Sequence, residues 1–303
     1  MTVSVLINNW NNAPFLAKCV ESALAQTRPA DEVIVYDDGS TDGSLEILRS
    51  FGVRIRLIAG IRAPGRSKRE NQGHAIQQAF RASSADWLAL LDGDDLFLPD
   101  KIARYRNAAE DNPHASLIQC PPALIDRDGR PLEDLIQMIT GDPADPFAWI
   151  ARHHDCDFFY PTSTLMLHRR VFERSRPFDF SRFAHLGCDP RLCINALFHG
   201  PLVTLDSPLT LWRRTDTSIS AASARSRYYL LRLTCNRCGY FNWIARLHQR
   251  PEYIRLWRNR NFRRRLFGVL LPNGIRRLLS QSRATPRDPR RAGLRADLAS
   301  KRG

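Results

Sequence analysis

Residues 87–95 read Trp87-Leu88-Ala89-Leu90-Leu91-Asp92-Gly93-Asp94-Asp95. An apolar run of strand length stops abruptly in three carboxylates within four positions, so concentrated negative charge stands at the mouth of a buried strand. Carboxylates packed that closely repel and raise each other's pKa unless a cation shares them, which points to a divalent metal on oxygen ligands. In an open α/β sheet the carboxyl end of a strand is also where ligands bind. A solvated acidic turn is the ordinary reading of an isolated Asp-x-Asp, and the rest of the chain decides between the two.

Working outward, the first 120 residues alternate short β-branched runs with helical patterns, the signature of βα units on a largely parallel sheet. Val3 to Ile7 is the first strand, and Phe15, Leu16, Cys19, Val20, Ala23 and Leu24 then mark one face of a helix. Val33 to Tyr36 is a second strand, ending at Asp37-Asp38-Gly39-Ser40-Thr41-Asp42, where a glycine and capping residues lead into a helix. Arg54 to Ala59 reads as a strand, Glu70 to Arg81 as a helix, and Trp87 to Leu91 as the strand that the acidic cluster closes. Pro99 is expected at the first position of a helix carrying Ile102, Tyr105 and Ala109. Farther on, Ser116 to Cys120, Thr164 to His168 and Leu202 to Leu205 read as strands, Cys188 to His199 as a helix, and Gly141 to Pro146 as loop.

At 303 residues and 43% apolar, the chain can bury one large core or two modest ones. No run approaches the roughly 20 apolar residues that cross a bilayer, and Met-Thr-Val-Ser-Val-Leu-Ile lacks the flank of a signal peptide, so a cytoplasmic chain is expected. Seven scattered cysteines fit reduced, buried thiols rather than a disulfide framework. The net charge of +14 divides unevenly: residues 1–224 carry 24 Lys+Arg against 28 Asp+Glu, whereas residues 225–303 carry 21 against 3. All the excess positive charge therefore lies in the C-terminal segment.

Two acidic clusters, Asp37-Asp38 and Asp92 to Asp95, end strands of one sheet and would share a crevice. A nucleoside diphosphate suits such a place: one carboxylate accepts from a base imide or ribose hydroxyl, and a metal on the other neutralises the diphosphate. Val3 to Ile7 with Trp10-Asn11, Cys19 to Thr27, Glu32 to Gly43, Asn71-x-Gly73, and Leu91 to Asp95 with Pro99-Asp100 resemble the family 2 glycosyltransferases, an inverting group on the GT-A nucleotide-sugar-binding fold. Ser163 to Met166, Arg169 to Glu173 with Phe178-Asp179, and Leu209 to Ser220 extend the resemblance over about residues 3–220.

The resemblance implies a mixed, mostly parallel α/β sheet flanked by helices. Residues 1–222 would form the GT-A domain, with a nucleotide-sugar half to about 115 and an acceptor half over 116–222. Residues 223–303 would be a basic helical extension, disordered from about 283. It also implies roles. Asp38 would contact the base, and Trp10 would replace a base-stacking tyrosine. Asn8, Asp92, Asp94 and Lys68 join them on the donor side, with Arg66 and Arg69 as alternative cations near the diphosphate. Asp94 or Asp95 would hold Mn²⁺ or Mg²⁺. Asp189 would be the base that deprotonates the acceptor hydroxyl as it attacks the anomeric carbon. The donor would be a UDP-, GDP- or dTDP-sugar, and the acceptor a glycan or lipid-linked molecule in surface polysaccharide or glycolipid synthesis. Three positions depart from the family pattern: Cys188 for a glutamate, Thr215 for a histidine and Glu70 for an arginine. A nucleotide-sugar binder of the same fold without turnover is the alternative.

Cys235-x-x-Cys238 has no second pair in register for zinc, and His153-His154-Asp155-Cys156 reads as loop. From Tyr240 to Leu279 aromatics and leucines interleave with arginines. Such a segment either lies on an anionic membrane surface or packs its apolar face on the preceding domain. Nothing in it resembles a nucleic-acid-binding module.

Overall fold

The computed structural model describes residues 1–132, 145–174, 179–215 and 227–270. In chain order it runs β1 (Val3–Asn9), α1 (Ala13–Leu24), β2 (Glu32–Asp37), α2 (Ser44–Ser50), β3 (Arg56–Ala59), α3 (Lys68–Ala82), β4 (Trp87–Asp92), β5 (Leu96–Phe97), α4 (Lys101–Asp111), β6 (Leu117–Gln119) and β7 (Ala123–Ile125). Then come α5 (Pro146–His153), β8 (Leu165–His168), α6 (Arg169–Arg174), α7 (Cys188–Leu197), β9 (Leu202–Thr204), β10 (Thr210–Arg213), α8 (Arg227–Leu247) and α9 (Arg260–Leu270).

The main sheet has the order β3-β2-β1-β4-β8-β6-β9. Its first four strands are parallel, β8 runs antiparallel between β4 and β6, and β9 returns parallel to β6. The runs at β1, β2 and β4 are apolar almost throughout, with the buried Ser4 of β1 as an interruption, because helices cover both faces. Leu6, Ile34, Leu88 and Leu90 point into one core with α3, α7 and α8. Val5, Ile7, Val33, Val35, Ala89 and Leu91 point into the other with α1 and α4. Register sets the site: Asn8 lies opposite Asp92 and Asn9 opposite Asp37, so the three strand ends finish level.

Packing runs across residue 222. Cys238, Tyr240, Phe241, Ile244 and Ala245 of α8 are buried in the same core as Leu186, Cys188 and Leu192. The helix after Pro99 starts two residues later than expected, because Asp100 takes the N-cap position and Pro99 offers its carbonyl to Thr27 N at 2.9 Å. His153 ends α5 rather than lying in a loop, and His154 follows in a left-handed conformation at φ 51°. A small sheet, β5-β10-β7, lies beside the main one. Expectations for residues 141–144, Phe178, residues 216–220 and the tail from 283 lie outside the described residues.

Candidate active site

Asp37 and Asp38 divide the work at the end of β2. Asp37 is fully buried and builds the turn: it accepts from Ser40 N at 2.8 Å, Ser40 Oγ at 2.6 Å and Asn9 Nδ2 at 2.7 Å, with Gly39 at φ +71°. Asp38 is thereby turned to the cleft. One of its oxygens accepts from Arg62 Nη1 at 2.7 Å, and the other is buried without a partner among the described residues. Burial pushes the Asp38 carboxyl above its usual range although Arg62 opposes the shift. The same Arg62 guanidinium stacks 3.7 Å from the ring centroid of Trp10, which remains 36% exposed.

The acidic cluster after β4 is sorted in the same way. Asp92 Oδ1 accepts from Asn8 Nδ2 at 2.6 Å and from Gln72 Nε2 at 2.9 Å. Gly93 packs so tightly that a Cβ there would lie 2.6 Å from Asn9 Oδ1. The Asp94 carboxylate accepts no hydrogen bond from another described residue, and burial, then the charge of Asp92, push its pKa up to about 6. Asp95 is buried and committed elsewhere: it accepts from Ser163 Oγ at 2.5 Å and from Arg213 N at 2.8 Å. Arg213 also donates to the Asp94 carbonyl at 2.8 Å, stapling the loop to β10.

Asp189 is the second residue of α7, and no Cβ at Gly187 stands in its way; one would lie 2.8 Å from its carboxylate. A helix N-terminus favours the anion, yet burial, followed by the charge of Asp92, wins and pushes this carboxyl up to about 7. Cys188, beside it, is buried and donates from Sγ to Gln72 Oε1 at 3.4 Å. Glu70 acts locally. It closes a capping box with Ser67, accepting from Ser67 N at 2.7 Å, and so starts α3 where Lys68 and Arg69 face the cleft.

Asn8, Trp10, Asp38, Lys68, Asp92, Asp94 and Asp189 all line one cleft of about 1010 Å³, and Asp95 does not line it. Tyr229, Leu230, Leu233 and Arg237 of α8 form another wall, with Arg237 paired to Asp157. Among the described residues no group of three or more His, Cys, Asp or Glu side chains could hold a metal unaided. Asp92 and Asp94 nevertheless place two buried carboxylates side by side, each with its pKa raised by burial, and carboxylate oxygen is the donor type that Mg²⁺ or Mn²⁺ takes when substrate phosphates complete its shell.

The profile of Glycosyl transferase family 2 matches residues 4–181, more than half of the 303-residue chain. The chain belongs to glycosyltransferase family 2. This family 2 glycosyltransferase is 30% identical over 245 residues to an uncharacterised glycosyltransferase of Nostoc sp., covering 75% of this chain and 69% of that protein. It is 33% identical over 109 residues to the succinoglycan biosynthesis protein ExoO of Rhizobium meliloti, covering 36% of this chain and 30% of that one. Among solved structures, S. aureus TarS 1–349 in complex with UDP-GlcNAc aligns at TM-score 0.54 and 15% identity, over 88% of this chain and 73% of that 1–349 chain. The mannosyltransferase PcManGT of Pyrobaculum calidifontis, in complex with GDP-Man and Mn²⁺, aligns at TM-score 0.56 and 17% identity, over 93% of this chain and 79% of that one. The fold is GT-A, and the chain is a transferase enzyme.

Several cleft residues of this glycosyltransferase carry no mark in the sequence. Arg62, Asp157, Arg237 and the α8 wall reach the cleft from segments outside the two acidic strand ends that mark the donor side. Gln72 sits inside the Asn71-x-Gly73 pattern, which is the signal that could have found it.

Proposed function

We propose that this chain is an inverting glycosyltransferase that moves a sugar from a nucleoside-diphosphate donor to an acceptor hydroxyl in surface polysaccharide or glycolipid synthesis. The observation that carries the reading is the convergence of Asp38, Asp92, Asp94 and Asp189 on one cleft. The unpartnered Asp38 oxygen suits an N–H of uracil, thymine or guanine, and Trp10 offers a face on which the base would stack. Asp92 suits the ribose. Asp94, with Asp92 beside it, would hold a divalent metal, Mn²⁺ or Mg²⁺; Asp95 is taken up by Ser163 and Arg213. Bound there, the metal would offset the charge of the diphosphate.

Asp189 carries the chemistry. It takes the proton of the acceptor hydroxyl, whose oxygen bonds to the anomeric carbon as the bond from that carbon to the diphosphate breaks. Attack opposite the leaving group inverts the centre. A UDP-, GDP- or dTDP-sugar fits this arrangement, and the donors named for TarS and PcManGT, UDP-GlcNAc and GDP-Man, are consistent with it. The name of ExoO, a succinoglycan biosynthesis protein, supports a place in polysaccharide synthesis.

No helix of the described residues is long and apolar enough to cross a membrane. Contact with a lipid-linked acceptor at the inner face of a membrane would use the basic C-terminal segment, where Leu247, Tyr253, Trp257 and Phe267 are exposed among arginines. The test of the enzyme reading is Asp189→Asn. Transfer should fall by at least about a hundredfold while nucleotide binding persists, measured by product release and calorimetry. Unchanged turnover would remove Asp189 from its role.

A further inference from the structure

Gln72, in the second turn of α3, has its amide held at both ends. Nε2 donates to Asp92 Oδ1 at 2.9 Å and reaches Thr162 Oγ1 at 3.4 Å. Oε1 accepts from Cys188 Sγ at 3.4 Å. The thiol is a donor here because burial holds its pKa well above the ordinary thiol range, so it keeps its proton. A donor on Oε1 fixes the amide: the NH₂ end faces Asp92, and the oxygen faces α7. Asn8 Nδ2 reaches the same Asp92 oxygen at 2.6 Å. With Oδ1 holding two N–H groups, Oδ2 is the oxygen left for a ligand in the cleft. Asn8, Asp92, Gln72 and Cys188 thus form one chain of contacts from the strand ends to the helix that presents Asp189.

We propose that Gln72 is a positioning residue for sugar transfer: it aims Asp92 at the donor and, through Cys188, ties that carboxylate to the helix carrying Asp189. This rests on the reading of the cleft as a nucleotide-sugar site. It also gives Cys188 a purpose. A glutamate in its place would present an acceptor to Gln72, turning the NH₂ end toward α7 and the amide oxygen toward Asp92. The cysteine and the glutamine therefore belong together.

The test uses the full chain, with UDP, GDP and dTDP in the presence of Mn²⁺ as binding probes, and with UDP-glucose, UDP-GlcNAc, GDP-mannose and dTDP-glucose for release of the nucleoside diphosphate. Gln72→Met keeps the length and removes both hydrogen-bonding ends. It should weaken binding of the preferred nucleotide about tenfold and lower kcat further, with the melting temperature unchanged. Cys188→Ala should weaken binding about threefold, and Cys188→Ser, which restores a donor, should recover it. Wild-type affinity in Gln72→Met, or Cys188→Ser behaving as Cys188→Ala, would overturn the proposal. The cysteine pair keeps it falsifiable if the glutamine variant does not fold. If the unaltered chain binds none of the three nucleotides, the donor reading itself fails and takes this inference with it.

Discussion

Asp189 keeps its proton to about pH 7, against an ordinary value of 3.8, because burial outweighs the pull of the helix N-terminus and the charge of Asp92 adds to it. As the proposed base it would work only when ionised. Turnover should therefore rise about tenfold per pH unit on the acid side and level off above about pH 7, read from kcat/KM against pH. A flat profile between pH 5 and pH 7 would separate Asp189 from the proton transfer. The same shift has the opposite sense for stability. Between roughly pH 4 and pH 7 the folded chain binds a proton that the unfolded chain has lost, so this group's contribution falls as pH rises through that window. The cleft thus holds a carboxyl that costs stability when charged, and the charged form is the one that suits a base for an acceptor hydroxyl.

The elements that frame the cleft differ in how plainly the chain announces them. β1, β2 and β4 are legible because strands covered on both faces need mostly apolar runs, and the ends of β2 and β4 are legible because acids and glycine interrupt those runs. β5, β7 and β10 have two to four residues each, too few for a period, and they form only because tertiary pairing supplies their partners. The site divides along the same line. Asp38, Asp92 and Asp94 stand at strand ends that the pattern marks, whereas Arg62, Gln72 and Arg213 arrive 24, 20 and 119 positions away from the carboxylate residues they contact. Gly93 shows what an element end demands. A methyl group there would lie 2.6 Å from Asn9 Oδ1, 3.1 Å from Asn12 Nδ2 and 3.2 Å from the Asn8 carbonyl, so β1 and the acidic loop would have to part. Gly93→Ala should cost about 1–3 kcal/mol and, by shifting Asp92 and Asp94 together, weaken nucleotide binding beyond what the lost stability accounts for. Calorimetry and thermal unfolding on the same preparation check this, and unaltered nucleotide affinity would contradict it.

Charge is distributed over the whole molecule as two regions joined by one core. The segment 225–303 carries a net +18 and the preceding residues a net −4, yet Tyr240 and Phe241 from the basic side are fully buried with Leu192 and Ile194 from the other. Cutting the chain at residue 240 would remove that core packing, so truncation there would report unfolding rather than surface binding. The arginines that remain exposed are the better handle. Arg260, Arg263 and Arg264 are exposed on α9, near the exposed rings of Trp257 and Phe267, which combines charge for phosphate headgroups with apolar surface for the acyl boundary. Residues 271–303 add nine basic residues against two acids. Each basic residue near an anionic surface contributes about 1 kcal/mol at low salt. Replacing Arg260, Arg263 and Arg264 by Glu should therefore weaken binding to phosphatidylglycerol vesicles by at least about a hundredfold, leave phosphatidylcholine vesicles unbound as before, and leave nucleotide binding intact. Added salt should produce the same loss in the unaltered chain, because screening acts on those charges within a Debye length of about 10 Å at 0.1 M. Sedimentation with vesicles of the two compositions reads both effects, and equal partitioning of the variant and the unaltered chain would place the membrane contact elsewhere or nowhere on this protein.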